Sequence, residues 1–188
     1  MKKTIKIISI IILVILLLFL INFVRNWIII SNIEKNILKN YYCKISTESK
    51  ENFMDIFQKD NKLKFVYSPS NTEEQLTIIV DRNENTAYQI TNGIVTEFPT
   101  SDPIANQDEQ LKIFTNLSMS EKIKLCTSFI STKDGKYSII YNDYTYIINK
   151  DSYLFEQKTS NTNNTENYTY SFELDTVKDD EFFVNLEK

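Results

Sequence analysis

Residues 134–158 read DGKYSIIYNDYTYIINKDSYLFEQK, and their alternation decides the fold. Asp134-Gly135 is a turn pair, Tyr137 to Tyr141 an alternating apolar run, and Asn142-Asp143 a reversal into Tyr144 to Ile148. Lys150-Asp151-Ser152 reverses the chain again into Tyr153 to Lys158. A side-chain period of two with Asn/Asp/Gly punctuation is the pattern of antiparallel strands joined by tight turns.

The pattern extends both ways. Downstream, after a polar loop at Asn161 to Glu166, Tyr168, Tyr170, Phe172 and Leu174 share one face, with Thr169, Ser171 and Glu173 on the other. Upstream come Tyr41, Cys43 and Ile45; Phe53 to Phe57; Leu63, Phe65 and Tyr67; Leu76, Ile78 and Val80; Tyr88 and Ile90; and Ile94, Val95 and Phe98. Asn92-Gly93 is a two-residue hairpin signal, because both central positions of a type I′ turn need φ > 0. Between Asp102 and Phe129 the period changes. Leu111, Phe114 and Leu117 recur every third residue, and Ser118 with Glu121 forms a capping-box signature ahead of Ile123 and Leu125. Asn32 to Asn40 reads as a short amphipathic helix on Ile33, Ile37 and Leu38, with Ser31 and Asn32 either ending the apolar helix before it or continuing that helix into it.

The expected fold class is mainly β with helices (α+β). About ten antiparallel strands twist too strongly to stay flat, so a curved sheet or half-barrel results. Its concave face needs a cover, for which the helices at 32–40 and 107–125 are the candidates. An N-terminal transmembrane helix precedes it.

That helix is legible from composition. Ile7 to Ile21 is apolar except for Ser9, and the run continues through Val24 to Trp27. Ile7 to Val24 spans about 27 Å of helix, close to the roughly 30 Å of hydrocarbon in a bilayer. Trp27 and Arg25 suit the far interface. A cleaved secretory signal is the competing reading. The run exceeds the usual ~7 to 15 apolar residues and no A-x-A-like site follows it, which favours an uncleaved signal anchor. Cys43 lies too far beyond the apolar run to be a lipidation site, and the first acidic residue, Glu34, comes too late for a pilin-type start. The organisation expected is residues 1–30 as cytoplasmic start and span, and 31–188 as an exported domain. Lys2, Lys3 and Lys6 before the run outweigh Arg25 after it, placing the N-terminus in the cytoplasm of a single-pass cell-membrane protein.

Composition removes several functions. The 188 residues contain no histidine, so a His-based triad or imidazole metal site is excluded. Two cysteines cannot form a disulfide-rich scaffold or a four-thiolate zinc site. Residues 31–188 carry 17 basic and 25 acidic side chains, a balance that repels phosphate backbones and argues against nucleic-acid partners.

The C-terminal third, with Lys133-Asp134-Gly135-Lys136-Tyr137 at a hairpin, Tyr146-Ile-Ile-Asn-Lys-Asp151 at a strand end and Tyr168 to Phe183 as a final aromatic strand and tail, resembles the LolA-like superfamily of lipoprotein localisation factors. KDNKLKFVY (59–67) and QLTIIVDRNENTAYQI (75–90) are similar too. The resemblance spans roughly 31–188. It implies a half-open barrel with a helical lid and an apolar cavity for acyl chains, or a sensor module, and transfers no catalytic residue.

Candidate sites follow. The inward stripe offers a ligand cavity lined by Phe65, Ile78, Tyr137, Ile139, Tyr146, Tyr170 and Phe172, with Leu111 and Phe114 on the lid. Filled and hollow half-barrels share this alternation, so a packed core is the alternative. Cys43 and Cys126 could pair outside the reducing cytosol, closing a loop of about 80 residues worth ~4 kcal/mol, or could be two buried thiols. Asp81, Asn83 and Asn85 have the spacing of half a calcium loop, but Thr86 and Asn92 stand where glycine and glutamate belong, so a turn is expected and no metal. Asp179, Asp180 and Glu181 read as a solvated cluster, and Thr47-Glu48-Ser49-Lys50 as a surface loop. The chain is expected to be non-enzymatic and to need no cofactor. Its expected partners are the membrane, a lipid or lipoprotein acyl chain, and an envelope protein. The functional expectation is a tethered domain binding an apolar ligand, or alternatively a packed interaction or sensor domain.

Overall fold

The computed structural model describes residues 2–36, 38–48, 50–68, 75–115, 117–162 and 167–184. Helix α1 runs from Lys2 to Lys35 without a break. It contains neither glycine nor proline, so nothing stops it at Ser31-Asn32; of the helical stretch expected over 32–40, Asn32 to Lys35 form the last turn of α1, and Asn40 opens the first strand. Ile37 and Ser49, named above, lie outside the described residues. From Lys6 to Ile21 the helix is exposed all round, and it is long and apolar enough to cross a membrane. From Asn26 onward one stripe turns inward: Asn26, Ile29, Ile30 and Ile33, at i, i+3, i+4 and i+7, are buried.

The described residues form eleven strands: β1 (Asn40–Thr47), β2 (Lys50–Lys59), β3 (Lys62–Tyr67), β4 (Leu76–Asp81), β5 (Thr86–Thr91), β6 (Ile94–Pro99), β7 (Ser131–Lys133), β8 (Lys136–Tyr141), β9 (Tyr144–Asn149), β10 (Phe155–Ser160) and β11 (Asn167–Leu174). They make one antiparallel sheet in the order β6-β5-β4-β3-β2-β1-β11-β10-β9-β8-β7. The sheet is not closed, and β6 and β7 are its edges. Asn92-Gly93, Asp134-Gly135 and Asn142-Asp143 all have both central residues at positive φ, the backbone twist that two-residue hairpins require. Asn142-Asp143 achieves it without glycine because short side-chain amides and carboxylates tolerate the left-handed region.

The chain finishes one wing of the sheet at β6 and must reach the opposite edge to begin β7. Residues 100–130 make that passage, as a 3₁₀ segment (Pro103–Leu111) and helix α2 (Met119–Thr127). The Ser118/Glu121 capping box forms as its sequence predicts. One core results, joining Ile29, Ile30 and Ile33 of α1 and Phe114, Leu125 and Cys126 of the crossing segment to inward residues of β1–β5 and β8–β11. Leu174 departs from its expected inward place and is exposed at the end of β11.

The opposite face of the sheet is covered at one place. Val177 and Phe182 pack on Ile79 with Tyr42, Phe57 and Ile90. Asp179 pairs with Lys59 and Glu181 with Lys64, both at 3.0 Å, so the acidic cluster fastens the C-terminal tail to the sheet. Cys43 and Cys126 are both free and buried, which corrects the disulfide alternative. The first lies mid-sheet on β1, the second on the last turn of α2 beside α1, each enclosed by its own neighbours.

Phe65→Ala, at a position 1% exposed, is expected to cost about 3–5 kcal/mol, whereas Ile94→Ala on the β6 edge should change stability by less than about 0.5 kcal/mol. Urea unfolding of the detergent-solubilised chain measures both. Equal losses would mean that the inward face is misassigned.

Candidate ligand pocket

A pocket of about 260 Å³ opens where three parts of the chain meet the middle of the sheet. The end of α1 and the chain after it supply Ile33, Asn36 and Leu38. The crossing segment supplies Leu111, Lys112, Phe114 and Thr115, and the β9–β10 turn supplies Tyr153, Leu154 and Phe155. Tyr41, Gln58 and Phe172 on β1, β2 and β11 form the floor.

Each wall is fixed by local chemistry. The β9–β10 turn is held by Asn149, whose Oδ1 accepts the amides of Asp151 and Ser152, both at 3.0 Å. Closure of this turn delays β10 until Phe155, two residues later than the sequence pattern suggests. It also places Tyr153 at φ +56°, a costly conformation for a bulky side chain. Asn32 Nδ2 donates to the Tyr153 hydroxyl at 2.9 Å, Tyr137 stacks on its ring, and Asn36 Nδ2 donates to the Ser152 carbonyl at 2.8 Å. Asn32 of α1 and Asn36 just beyond it therefore hold the strained turn against the end of the helix. Phe114, the largest fully buried side chain of the crossing segment, meets the rings of Tyr141, Tyr146 and Phe155 at centroid separations of 5.2 to 5.8 Å.

Polar groups are few. Asp108, fully buried, pairs with Arg82 at 2.9 Å and with Lys112, which places the Lys112 side chain at the pocket rim. Gln58 is 6% exposed, and its Nε2 donates to the Asp60 carbonyl at 3.3 Å and the Leu38 carbonyl at 3.5 Å, leaving Oε1 without a partner. Burial pushes the Tyr41, Tyr170 and Cys43 acid groups well up from their ordinary values, and pushes Tyr146 up to about 12. These groups are therefore neutral at physiological pH, and none is a ready base or nucleophile.

Of the residues expected to line a cavity, Leu111, Phe114 and Phe172 do line this pocket. Phe65, Ile78, Tyr137, Ile139, Tyr146 and Tyr170 are buried in the core beside it and do not. Tyr41 and Phe155 were visible as members of alternating runs but were not singled out. Residues 32–40 carry a signal as a cover of the sheet through Ile33 and Leu38, whereas Asn36 and the β9–β10 turn reach the site only through tertiary packing. A wider depression of about 480 Å³ over β10 and β11 is more open and includes the Lys136–Glu156 ion pair and Asn149, so it suits water better than an apolar ligand.

The remaining candidates resolve into structure. Asp81 Oδ1 accepts the amides of Asn83 at 2.9 Å and Glu84 at 3.3 Å, a side-chain-stabilised turn between β4 and β5. Among the described residues no three His, Cys, Asp or Glu side chains converge to hold a metal ion. No family model matches the chain, and no curated protein matches it.

Two outcomes are expected at Tyr146, whose hydroxyl is buried without a partner. Tyr146→Phe should leave stability unchanged or raise it by up to about 1 kcal/mol, since it removes an unsatisfied polar group. A raised folded pKa means that the unfolded state loses its proton first. The stabilisation from the buried Tyr146 phenol is thus full below about pH 10 and lost as pH rises towards about 12. Tyrosinate absorbance followed with circular dichroism should show the buried phenols ionising only as the fold is lost.

Proposed function

We propose that the chain is a membrane-tethered, non-enzymatic module of LolA-like architecture whose exported domain holds an acyl chain or similar apolar group in the Phe114–Phe172 pocket. The observation that carries this reading is the pocket itself, a recess with apolar side chains on every wall and few polar ones. A half-barrel is supported by the reach of the core. One cluster takes side chains from β5 at one side to β8 at the other. Eleven strands, each twisted by roughly −20 to −25° on its neighbour, curl rather than lie flat.

Size narrows the ligand. At about 260 Å³ the pocket lies just under the ~300–1,000 Å³ of sites that enclose a drug-sized molecule, so it suits one short chain or the end of a longer one. Position narrows its source. Ile33 and Asn36 lie six and nine residues beyond Trp27, about 9 to 14 Å along the helix from the expected interface. An acyl chain leaving the outer leaflet would reach it. The lysine-rich start supports a cytoplasmic N-terminus and a domain outside.

A second reading, a packed interaction or sensor domain of an envelope complex, is favoured by one observation: six of the nine expected cavity positions are filled core. Titration of the purified chain with fatty acids of increasing length separates the two. Each buried methylene is worth about 0.8 kcal/mol, so affinity should rise about fourfold per carbon until the pocket is full. Leu111→Trp should shorten the preferred chain. A flat response across lengths would leave the packed domain. For topology, a C-terminal reporter active only outside the cytoplasm should be on, and a cytosol-active reporter silent. The reverse pattern would overturn the orientation.

A further inference from the structure

The lower rim of the domain is defined by polar contacts to α1. Asn26 Nδ2 donates to the carbonyls of Cys126 at 3.1 Å and Ser128 at 2.8 Å, and Arg25 donates to the Ile130 carbonyl at 3.2 Å. Residues 126–130 are thereby held at the level of Arg25 and Asn26 on the helix. Packing reaches lower still, for Phe23 is half-buried against the domain and stacks on Trp27. Nineteen residues separate Lys6 from Arg25, about 28 Å of helix, which is the thickness of bilayer hydrocarbon. The level of Arg25 is therefore that of the headgroups.

Phe129 sits at this level, between Ser128 and the buried Ile130, and is 80% exposed. A large aromatic side chain held in water is unfavourable, whereas the membrane interface accommodates aromatic rings. We infer that the domain rests directly on the outer membrane surface, with Phe129 inserted into the bilayer interface beside α1 as a second point of attachment. This rests on α1 spanning the membrane as proposed above. The helix gives the domain its position, and Phe129 removes its remaining freedom to tilt.

Depth-dependent quenching tests it. The chain has one tryptophan, so a Trp27→Phe background in vesicles of phosphatidylcholine and phosphatidylglycerol accepts single reporters. Three variants are compared for quenching by lipids brominated near the headgroup end of their acyl chains. Phe19→Trp reports the span, Phe129→Trp the rim, and Phe183→Trp the far side, where Phe183 is 85% exposed in the tail beyond Val177, whose amide bonds Asn40. The expected result is quenching of Phe19→Trp and Phe129→Trp, the latter at least about twofold stronger than Phe183→Trp. Quenching of Phe19→Trp with none of Phe129→Trp overturns the surface contact and leaves the span. Failure of Phe19→Trp to quench overturns the span and the contact together. Equal quenching of Phe129→Trp and Phe183→Trp overturns the orientation.

Discussion

Everything in the domain depends on the stripe that α1 contributes to the core. Ile29, Ile30 and Ile33 are buried in the same cluster as the inward residues of the sheet, and Asn26 is buried on the same stripe. Isoleucine side chains of this kind each gain roughly 1.5–3 kcal/mol on burial, so the helix end is a structural member of the domain. Asn26 adds direction to this attraction. Its amide satisfies carbonyls at the end of α2, where the helix has no further turn to bond them. An apolar contact tolerates sliding by a residue. A buried amide facing two carbonyls does not, so Asn26 sets the axial position of α1 against α2.

The second constraint is topological. Because β6 and β7 are opposite edges, the chain between them has to pass over the buried face, and its composition is that of a cover rather than a loop. Asp108 anchors this passage. It is a buried carboxylate between Arg82, at the end of β4, and Lys112, on its own segment. Removing one partner from such a group costs about 3–5 kcal/mol, because the charge left behind is desolvated. The pocket exists where this cover stops short of α1 and the β9–β10 turn.

How much of this could be read from residues alone follows from the range of the interactions. Strands, turns and the α2 cap are set by neighbours within a few positions. Asn92-Gly93 and Ser118/Glu121 therefore announce what they form. The single-face burial of Tyr41, Cys43 and Ile45 is legible for the same reason. The continuity of α1 past Ser31 stays open in the sequence, because the residues that bury its stripe are about 100 positions away. Tyr153 was read as the start of a strand. Its left-handed backbone is imposed by Asn149, Asn32 and Tyr137, of which only the first is close in sequence. Leu111, Phe114 and Phe172 are legible as apolar residues of a lid and a strand, and Ile33 and Leu38 as the apolar side of a covering helix, but the part of the β9–β10 turn in the wall has no local signature.

The pairing of β1 with β11 has a consequence for assembly. Tyr41 meets Leu174 and Thr47 meets Tyr168, so the seam in the centre of the sheet joins residues more than 120 positions apart. Each wing is a run of hairpins between adjacent strands, which close quickly, whereas a contact across most of the chain waits on a large loop. Synthesis from the N-terminus completes β1–β6 long before β11 is made. Until then the inner edge of β1 is an unpaired strand beside a half-built core. Such an edge pairs with any extended chain nearby. Synthesis order thus leaves the first wing exposed, and the last strand to arrive is the one that closes it.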